Sequence, residues 1–81
     1  MRVRVEVVAT CLDEFITKIN KLGADLCFIE IIPNMKYHRG RFIFNAFITW
    51  VVGEKITRAL GDMLSEKLIL SMVYEPYPSR A

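Results

Sequence analysis

Two long apolar runs that flank a short polar loop constrain the fold of this 81-residue chain most strongly. Residues 26–32 and 41–52 are rich in β-branched and aromatic side chains, which is typical of β-strands. Pro33 and Gly40 bracket the loop between them, so the two strands are expected to form a hairpin. A strand with one exposed face alternates apolar and polar residues, whereas these runs carry apolar residues on both faces. We therefore expect helices to cover one face of the hairpin and a second cover to lie on the other.

The segment before the hairpin predicts a strand followed by an amphipathic helix. Residues 1–9 alternate in polarity, with Val3, Val5 and Val7 on one face, as in a strand with one buried face. Thr10 is the expected N-cap of the helix, and Asp13 three residues later completes a capping box. Residues 11–22 form the helix, which Gly23 is expected to end, with one apolar stripe made of Leu12, Phe15, Ile16, Ile19 and Leu22.

The segment after the hairpin predicts a second helix and a last strand. Residues 54–66 have helical spacing, and close packing on the sheet is the expected reason for Gly61 in the helix interior. Residues 68–75 form a strand, and the prolines of residues 76–81 predict a C-terminal tail outside the sheet. We expect a single domain over residues 1–75.

The order β-α-β-β-α-β predicts a ferredoxin-like α+β sandwich, in which a four-stranded antiparallel sheet carries two helices on one face. The usual strand order of this fold is 4-1-3-2, which places the first strand beside the third. The facing of residues 26–32 has two solutions. Either Cys27, Ile29 and Ile31 point towards the helices, or a slip of one residue exchanges the two sets.

The sheet face away from the helices, called the open face below, is the predicted site of self-association. A chain this short buries only roughly 60–65% of the surface that its unfolded form exposes. Its residues are nonetheless 53% hydrophobic, with a mean hydropathy of +0.30. We expect a homodimer, formed through the open face or through a sheet edge. The candidate interface residues are Phe28, Glu30, Ile32, Ile43, Asn45, Phe47 and Thr49.

The loop between the two hairpin strands is the predicted binding site for a partner macromolecule. It concentrates basic side chains and one aromatic ring in Lys36, Tyr37, His38, Arg39 and Arg41. Such a loop can bind phosphates through its cations while the ring stacks on a base, with Arg2 and Arg4 in support. The alternative is a solvated turn whose charges keep an apolar hairpin soluble. The net charge of +2 neither requires nor excludes a polyanionic partner.

No residue pattern predicts catalysis, a metal or a cofactor. His38 is the single histidine, and Cys11 and Cys27 lack the spacing of metal ligands. The longest apolar run is too short for a membrane span, and we expect a cytoplasmic protein. The sequence therefore predicts a non-enzymatic interaction or regulatory protein. The alternatives are a nucleic-acid-binding protein that uses the basic loop and, last, a small enzyme with a pocket between sheet and helices.

Overall fold

The computed structural model of the chain describes residues 2–22, 27–50 and 54–75, without the side chain of Cys27. It is an α+β structure with a five-stranded antiparallel sheet and two helices. The elements are β1 (Arg2–Val8), a 3-10 turn (Ala9–Cys11), α1 (Leu12–Asn20), β2 (Cys27–Ile31), β3 (Lys36–His38), β4 (Arg41–Trp50), α2 (Glu54–Ser65) and β5 (Ile69–Glu75). Neither helix in these ranges is long and apolar enough to cross a membrane. The predicted helix stop at Gly23 and the predicted tail, residues 76–81, lie outside the described residues.

The strands lie in the order β2-β4-β1-β5, and the short β3 pairs with the beginning of β4. The expectation of four strands was wrong, because the first strand of the hairpin is interrupted. Ile31 pairs with Ala46 and Lys36 pairs with Ile43, so four residues lie opposite only two on β4. Ile32 still donates its N–H to Asn45 O at 2.9 Å, and the next residue, Pro33, has no N–H to donate. β3 therefore continues β2 beyond a bulge.

The core lies between the sheet and the two helices. Val3, Val5 and Val7 are completely buried, which confirms the predicted inward face of β1. On β4, Ala46, Ile48 and Trp50 are buried on the same side of the sheet. The helices supply the other side of the core, which contains Phe15, Ile19, Ile56, Leu60 and Met63.

The facing of β2 follows the first of the two predicted solutions. Ile29 and Ile31 pack against the core, whereas Phe28 is 74% exposed. Phe28 pairs with Thr49 and Glu30 pairs with Phe47, so these side chains share the open face. The packing of Ile29 and Ile31 against the core therefore determines the register of the hairpin.

Helix α1 begins differently from the sequence prediction. Thr10 lies inside the 3-10 turn, and Cys11 is the N-cap residue, without a side-chain capping hydrogen bond. The capping box of Thr10 and Asp13 is therefore wrong. The backbone takes its place, because the N–H of Leu12 donates to the carbonyl of Ala9 in the 3-10 turn.

Helix α2 ends in a Schellman motif. The N–H of Leu68 donates to Met63 O at 2.9 Å, and that of Lys67 to Leu64 O at 3.2 Å. Lys67 adopts a φ of 64°, in the left-handed region where glycine is usual. Gly61 lies in the interior of this helix, and a Cβ added there would meet nothing within 4 Å. Close packing on the sheet, the predicted reason for Gly61, is therefore wrong.

Candidate docking surface of the hairpin

The outer part of the hairpin, residues 35–42, is here called the hairpin arm. It contains β3, the first residues of β4, and a two-residue turn at Arg39 and Gly40. Both turn residues have positive φ, 55° and 80°, as a type I′ turn requires. Every residue from 33 to 42 is exposed. The arm therefore presents its side chains to solvent on both faces.

One face of the arm carries an aromatic pair. Tyr37 and Phe42 lie directly opposite each other, with ring centroids 5.0 Å apart in an edge-to-face arrangement. Both point to the helix side of the sheet, yet they are 67% and 56% exposed, because the helices do not reach them. Such a pair contributes about 0.5–1.5 kcal/mol beyond its buried area. The two rings support each other and still leave most of their apolar surface in water.

The other face of the arm carries the basic groups. Lys36, His38 and Arg41 alternate with the aromatic pair and point to the open-face side, and Arg39 lies in the turn. The sequence contains no acidic residue from position 31 to position 53. The five predicted loop residues thus lie within one arm, but Tyr37 is on the opposite face from three of them. Sequence reasoning missed Phe42, although a two-residue turn at Arg39 and Gly40 would have placed it opposite Tyr37.

The arm bends towards the open face of the sheet. His38 Nε2 lies 3.7 Å from Glu6 Oε2, although β4 separates their strands. In a flat sheet their Cα atoms would be roughly 16 Å apart, too far for these side chains to meet. Ile43, which also points to the open face, is only 1% exposed. The bend therefore covers one end of the open face with the chain's own residues.

Three charged groups of the open face, Arg2, Glu30 and Glu75, pair with one another within the chain. The Arg2 guanidinium lies 4.4 Å from the centroid of the Phe47 ring. The same side chain reaches Glu30 at 3.9 Å and Glu75 at 3.4 Å. Surface ion pairs of this kind contribute about 0–1 kcal/mol each. Phe47 is thereby partly covered by a cation, so less apolar surface remains on this face than the sequence predicted.

All seven candidate interface residues point to the open face, but they differ in accessibility. Phe28 is highly exposed, and Glu30 is exposed beside it. Ile32, Asn45, Phe47 and Thr49 are only partly exposed, and Ile43 is buried within the single chain. Ile43 therefore offers no surface to a second copy, and the accessible apolar surface of the candidate interface is concentrated at Phe28.

The described residues also form a groove and an ion pair between the two helices. A groove of about 210 Å³ between α1 and α2 is lined by Lys18, Leu22, Ala59, Asp62, Met63 and Glu66. This volume is below the roughly 300–1,000 Å³ that is usual for a ligand pocket. Lys18 and Glu66 pair across it at 3.9 Å. Within residues 2–22, 27–50 and 54–75, no three His, Cys, Asp or Glu side chains are grouped as metal ligands.

Comparison with known proteins gives no indication of the function of this chain. The chain matches no family model, no curated protein and no solved structure. The hairpin arm combines exposed apolar side chains with three cations, Lys36, Arg39 and Arg41, that form no ion pair among the described residues.

Proposed function

We propose that this protein is a non-enzymatic interaction or regulatory protein that acts as a homodimer and docks on a partner macromolecule through the hairpin arm. The distribution of exposed apolar side chains carries the proposal. Of the seven large hydrophobic residues that are exposed in the described part of the chain, Met35, Tyr37 and Phe42 lie on the hairpin arm, and Phe28 lies on β2 of the same hairpin. Exposed apolar side chains that cluster on one element mark an interaction site more often than scattered ones do.

The charge of the arm indicates the chemistry of the partner. Lys36, Arg39 and Arg41 are exposed cations, and no ion pair within the described residues involves them. Their side chains therefore remain available to carboxylates or phosphates of another molecule. A protein surface that combines acidic groups with an apolar pocket for the aromatic pair fits both faces of the arm.

The backbone of Arg39 supports a functional use of its charge. Arg39 occupies a left-handed position of the turn, where asparagine or glycine is preferred. Holding a larger residue there costs of order 1 kcal/mol. The strained backbone at this exposed turn suggests that Arg39 is selected because its side chain binds a partner.

The fold assignment that accompanies this proposal is the ferredoxin-like sandwich. If β3 is counted as the continuation of β2, the remaining order β5-β1-β4-β2 corresponds to 4-1-3-2. Small domains of this shape serve many functions, so the fold itself does not identify the partner.

Nucleic acid is the second candidate partner. The absence of acidic residues from position 31 to position 53 favours it, because it leaves the arm with uncompensated positive charge. The facing of Tyr37 makes it the weaker candidate, because the ring lies on the opposite face from Lys36, His38 and Arg41. A strand bound by the cations would not reach this ring for stacking.

Affinity capture with matched variants tests the docking surface. The double variant Tyr37→Ser/Phe42→Ser removes the aromatic pair, and Leu64→Ser removes an exposed apolar residue of α2 as the control. A partner protein should be retained by the wild type and the control, and its retention should fall at least about tenfold with the double variant. Equal retention by all three proteins would contradict docking through the arm.

Filter binding of mixed DNA and RNA separates the second candidate from the first. Binding through phosphate contacts strengthens as the salt concentration falls. Retention at low salt that disappears in Lys36→Gln/Arg39→Gln/Arg41→Gln would support nucleic acid as the partner. No retention at low salt would exclude it and leave the protein partner as the proposal.

A further inference from the structure

Strand β5 forms one edge of the sheet, and among the described residues no strand pairs with its outer side. Exposed edges are usually protected by lysine, proline or a covering element. The seven residues of β5 include neither lysine nor proline. Val73 and Tyr74 are 46% and 44% exposed on this edge. The edge therefore combines free backbone hydrogen-bonding groups with exposed apolar side chains.

The opposite edge of the sheet is less suited to strand pairing. Strand β2 has five residues, and Glu30 projects an exposed charge at its outer edge. Glu30 also takes part in the ion pair with Arg2. Strand β5 is longer, at seven residues, and its single charged side chain, Glu75, is at the end.

We infer that β5 pairs antiparallel with β5 of a second copy, which joins the two sheets into one across a two-fold axis. This inference rests on the proposed homodimer and identifies where its interface lies. Antiparallel pairing of identical strands satisfies the free backbone groups of both copies at once.

The register of this pairing follows from a bulge in β5. Val7 pairs with Ile69, but Glu6 pairs with Ser71, so Leu70 is an extra residue. Regular pairing is therefore confined to residues 71–75. An axis through Val73 uses all five of these residues, whereas an axis through Met72 would run the pairing into the bulge. An axis through Tyr74 would require a backbone N–H from residue 76, which is a proline.

This register places complementary side chains opposite each other. Val73 faces Val73 of the second copy on the open-face side, and Met72 faces Tyr74 on the helix side. A thioether beside an aromatic ring is a favourable contact. Ser71 faces Glu75, but this pair adds no hydrogen bond, because the Ser71 hydroxyl already donates to Glu6 Oε1 at 2.9 Å within its own chain. The pairing thus covers the two exposed apolar residues of the edge without burying an unpaired charge.

Arg4 adds charge complementarity across the same axis. It lies opposite Val73 on β1, it is exposed, and it has no ion pair among the described residues. In the proposed register, Glu75 of the second copy lies roughly 12 Å from Arg4 between Cα atoms, within reach of the two extended side chains. Two such pairs would form, one on each side of the axis.

Charge complementation at Val73 tests the inference. In Val73→Lys and in Val73→Glu, two like charges meet at the axis, so each variant alone should dissociate at least about tenfold more readily than the wild type. A one-to-one mixture brings Lys opposite Glu and should restore dimers, as measured by sedimentation velocity. Val73 is half exposed, so circular dichroism should show that both variants remain folded. Leu64→Lys, an equivalent change on α2, should leave the dimer intact.

The outcomes of this experiment distinguish pairing through β5 from the proposed homodimer on which it rests. A wild-type monomer would overturn both. A wild-type dimer that persists in both Val73 variants but dissociates in Phe28→Lys would overturn edge pairing and keep the homodimer. Variants that dissociate but do not recombine in the mixture would overturn the register centred on Val73.

Discussion

Among the residues that the structure describes, three hold left-handed backbone conformations, and only one of these three is glycine. Gly40 has a φ of 80°, and Arg39 and Lys67 have values of 55° and 64°. Left-handed backbone costs an L-residue roughly 1–2 kcal/mol relative to its normal conformations. Gly61 is the reverse case, because it is a glycine at a helical position where no neighbour excludes a side chain. Backbone conformation, rather than crowding, therefore decides what each of these positions tolerates.

Gly61→Ala is expected to raise the free energy of unfolding by about 1 kcal/mol, because alanine loses less backbone entropy in a helix interior. Urea denaturation measures the change. Gly40→Ala is the matched control, since its added Cβ also meets nothing within 4 Å but its φ is left-handed. The control should lower stability by a similar amount. A loss of stability in Gly61→Ala would show that this helix needs the glycine.

At the scale of elements, the polarity pattern predicted most of the structure. Alternation in residues 1–9 identified β1 and its buried face, and the apolar stripes identified α1 and α2. The sequence did not predict the break between β2 and β3, because Pro33 is equally compatible with a loop after the strand and with a bulge within it. The start of α1 was misread for a related reason. A 3-10 turn supplies backbone hydrogen bonds that leave Thr10 without a capping role.

The bend of the hairpin arm makes a prediction about Ile43. Its outward position suggests an exposed residue, but the bend leaves it 1% exposed. Ile43→Ala is expected to lower the free energy of unfolding by about 2–4 kcal/mol, as for a core residue. Phe28→Ala, at the far end of the same face, should change the stability of the monomer by no more than about 0.5 kcal/mol. Equal, small effects of the two variants in chemical denaturation would contradict the bend.

At the scale of the whole molecule, apolar composition predicted more exposed surface than the open face carries. The sequence could not show that Arg2 lies over Phe47, because the contact joins β1 and β4 across the sheet. Nor could it show that His38 reaches Glu6 and that the arm covers Ile43. The loop residues were correctly grouped, since they are neighbours in sequence, but the separation of Tyr37 from the cations depends on the register of β3. Local patterns predicted the arm, and long-range contacts determine what remains exposed.

Among the described residues, most of the exposed large hydrophobic side chains lie on the hairpin and at the outer edge of β5. A monomer of 9.4 kDa is too small to bury both of these apolar surfaces by itself. Self-association through β5 would leave the hairpin arm free for a partner, so the proposed function depends first on the formation of a dimer.

Light scattering coupled to size exclusion tests dimer formation most directly. At micromolar concentration we expect a mass of twice 9.4 kDa for the wild-type chain. A mass of 9.4 kDa throughout the same concentration range would contradict it.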